Sequence, residues 1–266
     1  EHIAKAMNAK MGVSFRGFDI NVYPIRHPNC YKRVWQNVDK VHSISNYLHE
    51  KALGYGLPSE LPYARIPPAV VIDNLPNTTE SNSEILQITT IARLSWIKGI
   101  DVALSAMQLL KASGVKIQYH IIGDGIQKEW ERYQFQVYEQ ELQDEVVFHG
   151  KLSHAETLTR LAATDLYVQS SWNEGFCNAV LEAQALGKLV IVSNVGGLPE
   201  NIEDGQTGWL FPVGDAHALA HQIQYCLELP KSEKEKVAKQ AQQRVRQHFN
   251  IEKQQREFVS FYTEAL

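Results

Sequence analysis

Residues 169–187 read Gln-Ser-Ser-Trp-Asn-Glu-Gly-Phe-Cys-Asn-Ala-Val-Leu-Glu-Ala-Gln-Ala-Leu-Gly. The stretch predicts the end of a buried strand, a short loop and a helix. Asn173 is a good N-cap, which would put Glu174 in the first helical turn, and Gly187 is placed to end the helix. On such a helix Glu174 and Glu182 lie about 12 Å apart along the axis and roughly 80° apart around it. Asn178 falls between them, and the other positions are Val180, Leu181, Ala183, Ala185 and Leu186. A ligand about 12 Å long, with hydroxyls at both ends and an anionic middle, suits such a polar stripe. The amides of Gly175 and Phe176 would be free at the helix start, where an anion is stabilised. Glu174 alone is equally explained as a dipole partner, an effect of about 0.3–1 kcal/mol. Glu182 is harder to explain that way. A carboxylate within Ala-Val-Leu-Glu-Ala is costly to bury without a hydrogen-bond partner. Ligand hydroxyls or a structural salt bridge would supply one.

Around this stretch the apolar rhythm is regular from residue 84 onward. Strand candidates lie near 85–91, 117–122, 145–149, 165–169, 188–193 and 207–211. Helical patterns near 99–112, 126–141, 153–163 and 174–186 separate the first five. The alternation predicts an α/β fold, a parallel sheet wrapped by helices on both faces with right-handed crossovers. Helices near 215–229, 231–248 and 251–265 finish the chain. The first 80 residues are less even. They suggest a short strand at 11–15, a helical run at 30–37, a buried strand at 41–45 and a helix from an Asn46 cap to Leu53. The segment around Pro67 and Pro68 is extended, because proline forbids helix there. Residues 73–83 are turn-formers and read as a linker.

The 266 residues suffice for one large domain, or one domain plus a piece of another. With 44% hydrophobic and 21% charged residues, the composition is that of an ordinary globular protein. A formal net charge of −4 provides no global field for nucleic acid. Cys30, Cys177 and Cys226 fit neither a disulfide framework nor a zinc pattern, which suggests a reducing compartment. No apolar run is long enough to span a membrane, and no signal peptide is visible. A cytoplasmic protein, or one at the inner face of a membrane, is expected. The first residue is Glu, so the start of the natural protein is expected to be missing.

In such a sheet, ligands bind outside the carboxyl ends of the strands. The first strand-end loop, 92–99, carries Arg93 and Lys98 before a helix, a site suited to a diphosphate unless both are ordinary surface cations. It is not a Walker loop. The second holds Gly123-Asp124-Gly125, where the glycines permit close approach of a ligand or tight packing. The third, Phe148-His149-Gly150-Lys151, would offer backbone atoms to the edge of a base, though His149 reads equally as a surface residue. The fourth is the 169–187 stretch, and the fifth contains Gly196-Gly197-Leu-Pro199-Glu200. All five fall on one edge of one sheet, and that coincidence outweighs any single loop.

With these motifs in place, residues 84–230 resemble the C-terminal, donor-binding domain of retaining glycosyltransferases of family 4, which have the GT-B fold. The resemblance rests on Ala92-Arg93-Leu94 with Lys98-Gly99, Gly123-Asp124-Gly125, Val147-Phe148-His149-Gly150 and Ser171-x-x-Glu174-Gly175-Phe176. Leu181-Glu182-Ala183, Gly187, Gly196-Gly197-Leu198-Pro199-Glu200, Asp204-Gly205-x-x-Gly208 and Gly214-Asp215 continue it. Residues 39–75 resemble the end of that family's N-terminal domain. The implied organisation is an incomplete acceptor-domain part and linker at 1–80, a Rossmann-like donor domain at 81–248, and a terminal helix at 249–266 packing back on the first part.

The resemblance implies roles residue by residue. Arg93 and Lys98 match the pair that holds the nucleotide diphosphate, Glu174 faces the donor sugar, and Glu182 binds the ribose hydroxyls. Gly175 and Phe176 match backbone donors near the sugar and phosphate. The donor would be a nucleoside diphosphate sugar such as a UDP- or GDP-sugar, and the acceptor a glycan or glycolipid in surface or exopolysaccharide synthesis. No cofactor and no metal are expected. Asp-x-Asp is absent from the chain, and the two cations substitute for a divalent ion. Ser14-Phe15-Arg16-Gly17 resembles the family's Thr-Phe-His-Gly segment, with Arg16 where the histidine stands. A truncated or noncatalytic nucleotide-sugar binding module on the same scaffold is the alternative. Finally, Tyr23, Arg26, His27, Tyr31, Lys32, Arg33 and Trp35 interleave basic and aromatic residues. Surfaces resting on anionic lipid have that composition, and so do solvated helix faces.

Overall fold

The computed structural model describes residues 2–73, 75–78 and 84–263. Of the linker expected at 73–83, residues 74 and 79–83 lie outside the described residues. The first part of the chain gives α1 (His2–Ala6), β1 (Gly12–Phe15), the short turns α2 (Phe18–Asn21), α3 (Tyr23–Arg26) and α4 (Lys32–Trp35), β2 (Lys40–Ser43), α5 (Asn46–Gly54) and β3 (Tyr63–Arg65). Strict alternation follows: β4 (Leu86–Ile91), α6 (Ile100–Ala112), β5 (Ile117–Ile122), α7 (Gln127–Glu139), β6 (Val146–Gly150), α8 (His154–Ala162), β7 (Leu166–Gln169), α9 (Asn178–Ala185), β8 (Leu189–Ser193) and β9 (Trp209–Phe211). Helices α10 (Ala216–Glu228), α11 (Lys231–His248) and α12 (Ile251–Thr263) close the chain.

The second group builds a six-stranded parallel sheet in the order β6-β5-β4-β7-β8-β9. All four residues of β7 are buried, as are the last four of β8. Their near-continuous apolar runs suit strands covered on both faces. The order contains one reversal. The chain steps outward from β4 to β5 to β6, then returns to lay β7 on the other side of β4. Loops leaving β4 and β7 therefore diverge at the carboxyl edge, which opens a crevice between them.

The first part forms a three-stranded parallel sheet, β1-β2-β3. It shares one apolar cluster with the larger sheet: Phe15, Trp35, Val41 and Leu48 pack with Phe176, Leu181, Val245 and Phe249. Helix α12 returns to this smaller sheet, where Lys40 Nζ donates to the Phe261 carbonyl at 2.9 Å and the His42 ring lies 5.0 Å from that of Phe258.

Two helix starts differ from those expected. Helix α5 is capped by Ser45, whose hydroxyl accepts from the Leu48 amide, rather than by Asn46. More consequentially, α9 begins at Asn178, with Cys177 at the N-cap position, so Glu174 is in the loop and not in a first helical turn. The Asn173 side chain is committed elsewhere: its Oδ1 accepts from Asn21 at 3.1 Å and its Nδ2 donates to the Tyr47 hydroxyl at 2.9 Å. The spacing computed for a Glu174–Glu182 helical stripe therefore does not apply, and the amides of Gly175 and Phe176 precede the helix.

Candidate functional site

The crevice between the β4 and β7 loops opens into a cavity of about 1170 Å³. Arg93, Ser95 and Lys98 line it from the β4 loop, Gly123, Asp124 and Gly125 from the β5 loop, and Glu174, Phe176, Cys177 and Asn178 from the approach to α9. Lys151 closes it from the β6 side and Arg16 reaches it from the smaller sheet. Among the expected site residues, the structure thus gathers Arg93, Lys98, Gly123, Gly125, Glu174 and Phe176 around one space.

Lys98 and Glu174 form an ion pair, with the ammonium donating to Glu174 Oε2. Their side chains are 17% and 14% exposed, so both charges are largely desolvated, and each limits the cost of burying the other. Arg93 is exposed at the rim. Next to Lys98, Gly99 precedes α6, and the Ser170 hydroxyl donates to the Gly99 carbonyl at 2.7 Å. At Cys177 burial pushes the thiol up to about 12, so it lines the cavity as a neutral group.

Space at the strand ends is set by backbone-to-backbone contact. A Cβ on Gly123 would lie 1.9 Å from the Ala92 carbonyl oxygen, and its φ of +142° is itself a glycine conformation. Gly197 has an ordinary φ of −87°, but a Cβ there would lie 2.0 Å from the Gly175 carbonyl oxygen. The Gly197 amide donates to the Glu174 carbonyl at 2.8 Å, so this glycine holds the main chain of the loop that carries Glu174.

The remaining expected residues sit outside this lining. Glu182 is one turn beyond Asn178 on α9, and its Oε1 is 2.9 Å from His154 Nε2 at the start of α8. The His149 ring is tied into the sheet, its Nε2 2.9 Å from His120 Nδ1, while His120 Nε2 is 2.9 Å from Gln87 Oε1. Gln87 Oε1 can only accept, so His120 carries its proton on Nε2 and accepts at Nδ1 from His149. Burial, with His149 and Arg160 nearby, lowers His120 to about 4, and burial also lowers His149. Gly150 accepts the Gly123 amide through its carbonyl at 2.9 Å, and Gly175 packs against the Gly17 backbone.

Sequence reasoning missed Asn201, which steadies this loop from a distance, and quoted Glu200 only within a glycine-bearing motif, without its partners. Asn201 is fully buried; it accepts from the Cys177 amide at 3.1 Å and donates to the Cys177 carbonyl at 3.0 Å. Glu200 accepts the amides of Asn46 and Tyr47, each at 3.0 Å, and Arg65 Nη1 at 3.1 Å, which ties the two sheets together. Neither pairing has a local signal in the chain.

The basic-aromatic run at 23–35 divides. Tyr31 stacks on Trp35 at 4.8 Å, and Trp35 is buried against Phe15. Tyr23, Ile25, Arg26, Lys32 and Arg33 are exposed. No helix among the described residues is long and apolar enough to cross a membrane. A second cavity of about 590 Å³ lies at the opposite edge of the larger sheet, beside Asp165 and Lys188, away from the strand-end loops.

Known proteins resemble this chain over much of its length. The family of glycosyl transferases group 1 matches residues 71–244. The putative colanic acid biosynthesis glycosyltransferase WcaL of Escherichia coli is 29% identical over 263 residues, 96% of this chain and 64% of that protein. The amylovoran biosynthesis glycosyltransferase AmsK of Erwinia amylovora is 31% identical over 225 residues, 81% of this chain and 54% of that protein. The crystal structure of a glycosyltransferase from Rickettsia africae superimposes with a TM-score of 0.85 at 26% identity, covering 98% of this chain and 72% of that one. HepE from Anabaena, solved in complex with UDP and glucose, gives a TM-score of 0.85 over 98% of this chain and 73% of that one. At 21% identity its likeness is one of fold. The chain spans about half to two-thirds of the length of these two curated relatives.

Proposed function

The chain belongs to the glycosyl transferases group 1 family, and from that premise we propose that its cavity binds a nucleoside diphosphate sugar whose sugar is passed to a hydroxyl acceptor with retention of configuration. Its fold is that of GT-B glycosyltransferases. One observation carries the proposal: Arg93, Lys98 and Glu174 line the same cavity, at the strand reversal of the larger sheet.

In this reading the diphosphate lies against Arg93, Lys98 and the start of α6. The bond between the anomeric carbon and the diphosphate oxygen breaks while the acceptor oxygen bonds the same carbon from the same face. The acceptor proton passes to the departing phosphate oxygen. Charge grows on the diphosphate, where fixed cations act most strongly. They take the place of a divalent metal, and no cofactor is required. Glu174 orients the sugar hydroxyls. Glu182 exchanges His154 for the ribose hydroxyls, and the backbone at His149 and Gly150 borders the base. Arg16 stands at the acceptor side of the cavity.

The relatives named for colanic acid and amylovoran biosynthesis support an acceptor of the glycan or glycolipid class in surface or exopolysaccharide assembly. The exposed Tyr23, Ile25, Arg26, Lys32 and Arg33 suit contact with an anionic membrane face, and salt-sensitive co-sedimentation with anionic vesicles tests that contact.

Calorimetry with UDP, GDP and ADP sugars, followed by a transfer assay with glycan and glycolipid acceptors, tests the whole reading. Binding with transfer is expected. Binding without transfer under every acceptor would assign the chain to nucleotide-sugar binding alone, and no binding would overturn the proposal.

A further inference from the structure

Behind Glu174 lies a chain of buried polar groups that the reaction just described does not use. Gln169 ends β7 at 1% exposure, and Ser171 follows at 0%. Polar atoms so placed are costly unless paired, and here the pairing has a direction. The Tyr167 hydroxyl donates to Gln169 Oε1 at 2.6 Å, and the Cys177 thiol donates to the same oxygen at 3.5 Å. Gln169 Nε2 donates to Ser171 Oγ at 2.8 Å. Ser171 has one hydroxyl hydrogen, and with its oxygen already accepting, that hydrogen points to Glu174 Oε2 at 3.4 Å. The Ser171 backbone is held in turn, because the Ser193 hydroxyl donates to its carbonyl at 2.6 Å.

Lys98 donates to that same Oε2. Both donors therefore converge on one carboxylate oxygen, which fixes the plane of the carboxylate and leaves Oε1 to accept from a ligand. We propose that Gln169 and Ser171 are positioning residues that hold Glu174 so that Oε1 meets a hydroxyl of the donor sugar. The proposal rests on the reading of the cavity given above and adds to it the origin of the Glu174 orientation. It separates two parts of the donor. Loss of the relay should weaken recognition of the sugar and spare that of the diphosphate, which Arg93 and Lys98 hold.

Calorimetry on the chain with UDP-glucose, GDP-mannose and ADP-glucose, and with the matching free diphosphates, distinguishes the parts. For the nucleotide that binds, Ser171→Ala should weaken the nucleotide sugar about tenfold, the scale of one hydrogen bond to a charged group. The free diphosphate should bind as before, which also reports that the variant is folded. Ser171→Thr, which keeps a hydroxyl, should restore most of the loss. Gln169→Glu keeps the size of the side chain but removes the N–H, so Ser171 turns its hydrogen back to residue 169 and the sugar-specific loss should recur. Equal weakening of sugar and free diphosphate, or no change in either, would overturn the positioning role alone. A wild-type chain that binds none of the six compounds would overturn the cavity reading and this inference together.

Discussion

Lys98 and Glu174 are ion-paired across the point where the larger sheet reverses direction, although 76 residues separate them in the chain. Each follows a strand, β4 or β7, that is hydrogen-bonded to the other. The sheet order thus creates the pair, and the pair sets the charge at the mouth of the crevice. In the proposed function a bound diphosphate would compete with Glu174 for the lysine, which without it keeps the carboxylate compensated.

Lys98→Ala is expected to lower transfer by about 10²–10³-fold, the usual consequence of losing one fixed donor to a developing anion. It also leaves a largely buried carboxylate without its counter-charge. Pairing it with Glu174→Gln should recover stability without recovering transfer, because the uncompensated charge is gone. Steady-state rates together with thermal melts check both halves, and unchanged turnover in Lys98→Ala would remove the diphosphate role.

Gly197→Ala tests the backbone packing under the Glu174 loop. Its φ suits alanine, so only the 2.0 Å approach to the Gly175 oxygen opposes the substitution. A destabilisation of about 2–3 kcal/mol is expected from such overpacking. Gly205→Ala is the control. It has φ +72° with nothing within 4 Å, so backbone strain of about 1 kcal/mol is expected. Urea denaturation of both variants gives the comparison.

Glu200→Ala should release the seam between the sheets. It removes a carboxylate from the first amides of α5 and from Arg65. A loss of about 1–2 kcal/mol is expected, in the range of a helix cap with its dipole contribution. Hydrogen exchange should speed at Asn46 and Tyr47 before it does in β7 or β8. Uniform protection would show that the apolar cluster alone holds the seam.

Acid should destabilise the fold through the His120–His149 pair. The folded-state value of His120 is depressed to about 4, below the ordinary value of about 6.5. The unfolded chain therefore binds more protons in that interval. The stability contributed by neutral His120 is fully present above about pH 6.5 and is lost as pH falls toward 4. His120→Gln should flatten the decline over this window in denaturation series at stepped pH. An unaltered slope would place the acid sensitivity in other groups.

Glu182→Ala should weaken nucleotide binding more than it alters the choice of sugar, since Glu182 lies down α9 from the Glu174 loop beside His154. The reverse pattern in a nucleotide-sugar panel would reassign it.

Apart from the start of α9, the periodic part of the chain was legible to within about two residues. The strand expected at 117–122 is β5 with the same limits, and the helix expected at 231–248 is α11. The strands expected near 85–91 and 188–193 start one residue later than read. Such elements are encoded in apolar spacing within short windows, and the parallel alternation follows from their order. The glycine-bearing loops could likewise be placed at one edge, because a parallel α/β sheet sends every strand-to-helix turn to the same side.

The start of α9 was not legible. Asn173 has the chemistry of an N-cap, but its amide is used on Asn21, 152 residues away, and on Tyr47. Gln169 and Asn201 read as ordinary polar residues, and Ser171 and Glu200 only as members of quoted motifs, until their partners are in place. From residue 84 onward the sequence by itself determined the order of strands and helices and which loops share an edge, because those depend on neighbours within a few turns of chain; α1, α2, α3 and β3 of the first part were not read. Only the tertiary structure decided that Glu174 lies in a loop, that Lys98 faces it, and that a buried line of donors ends on one of its oxygens. A side chain with several competing partners is resolved only by which of them folding brings within hydrogen-bond reach.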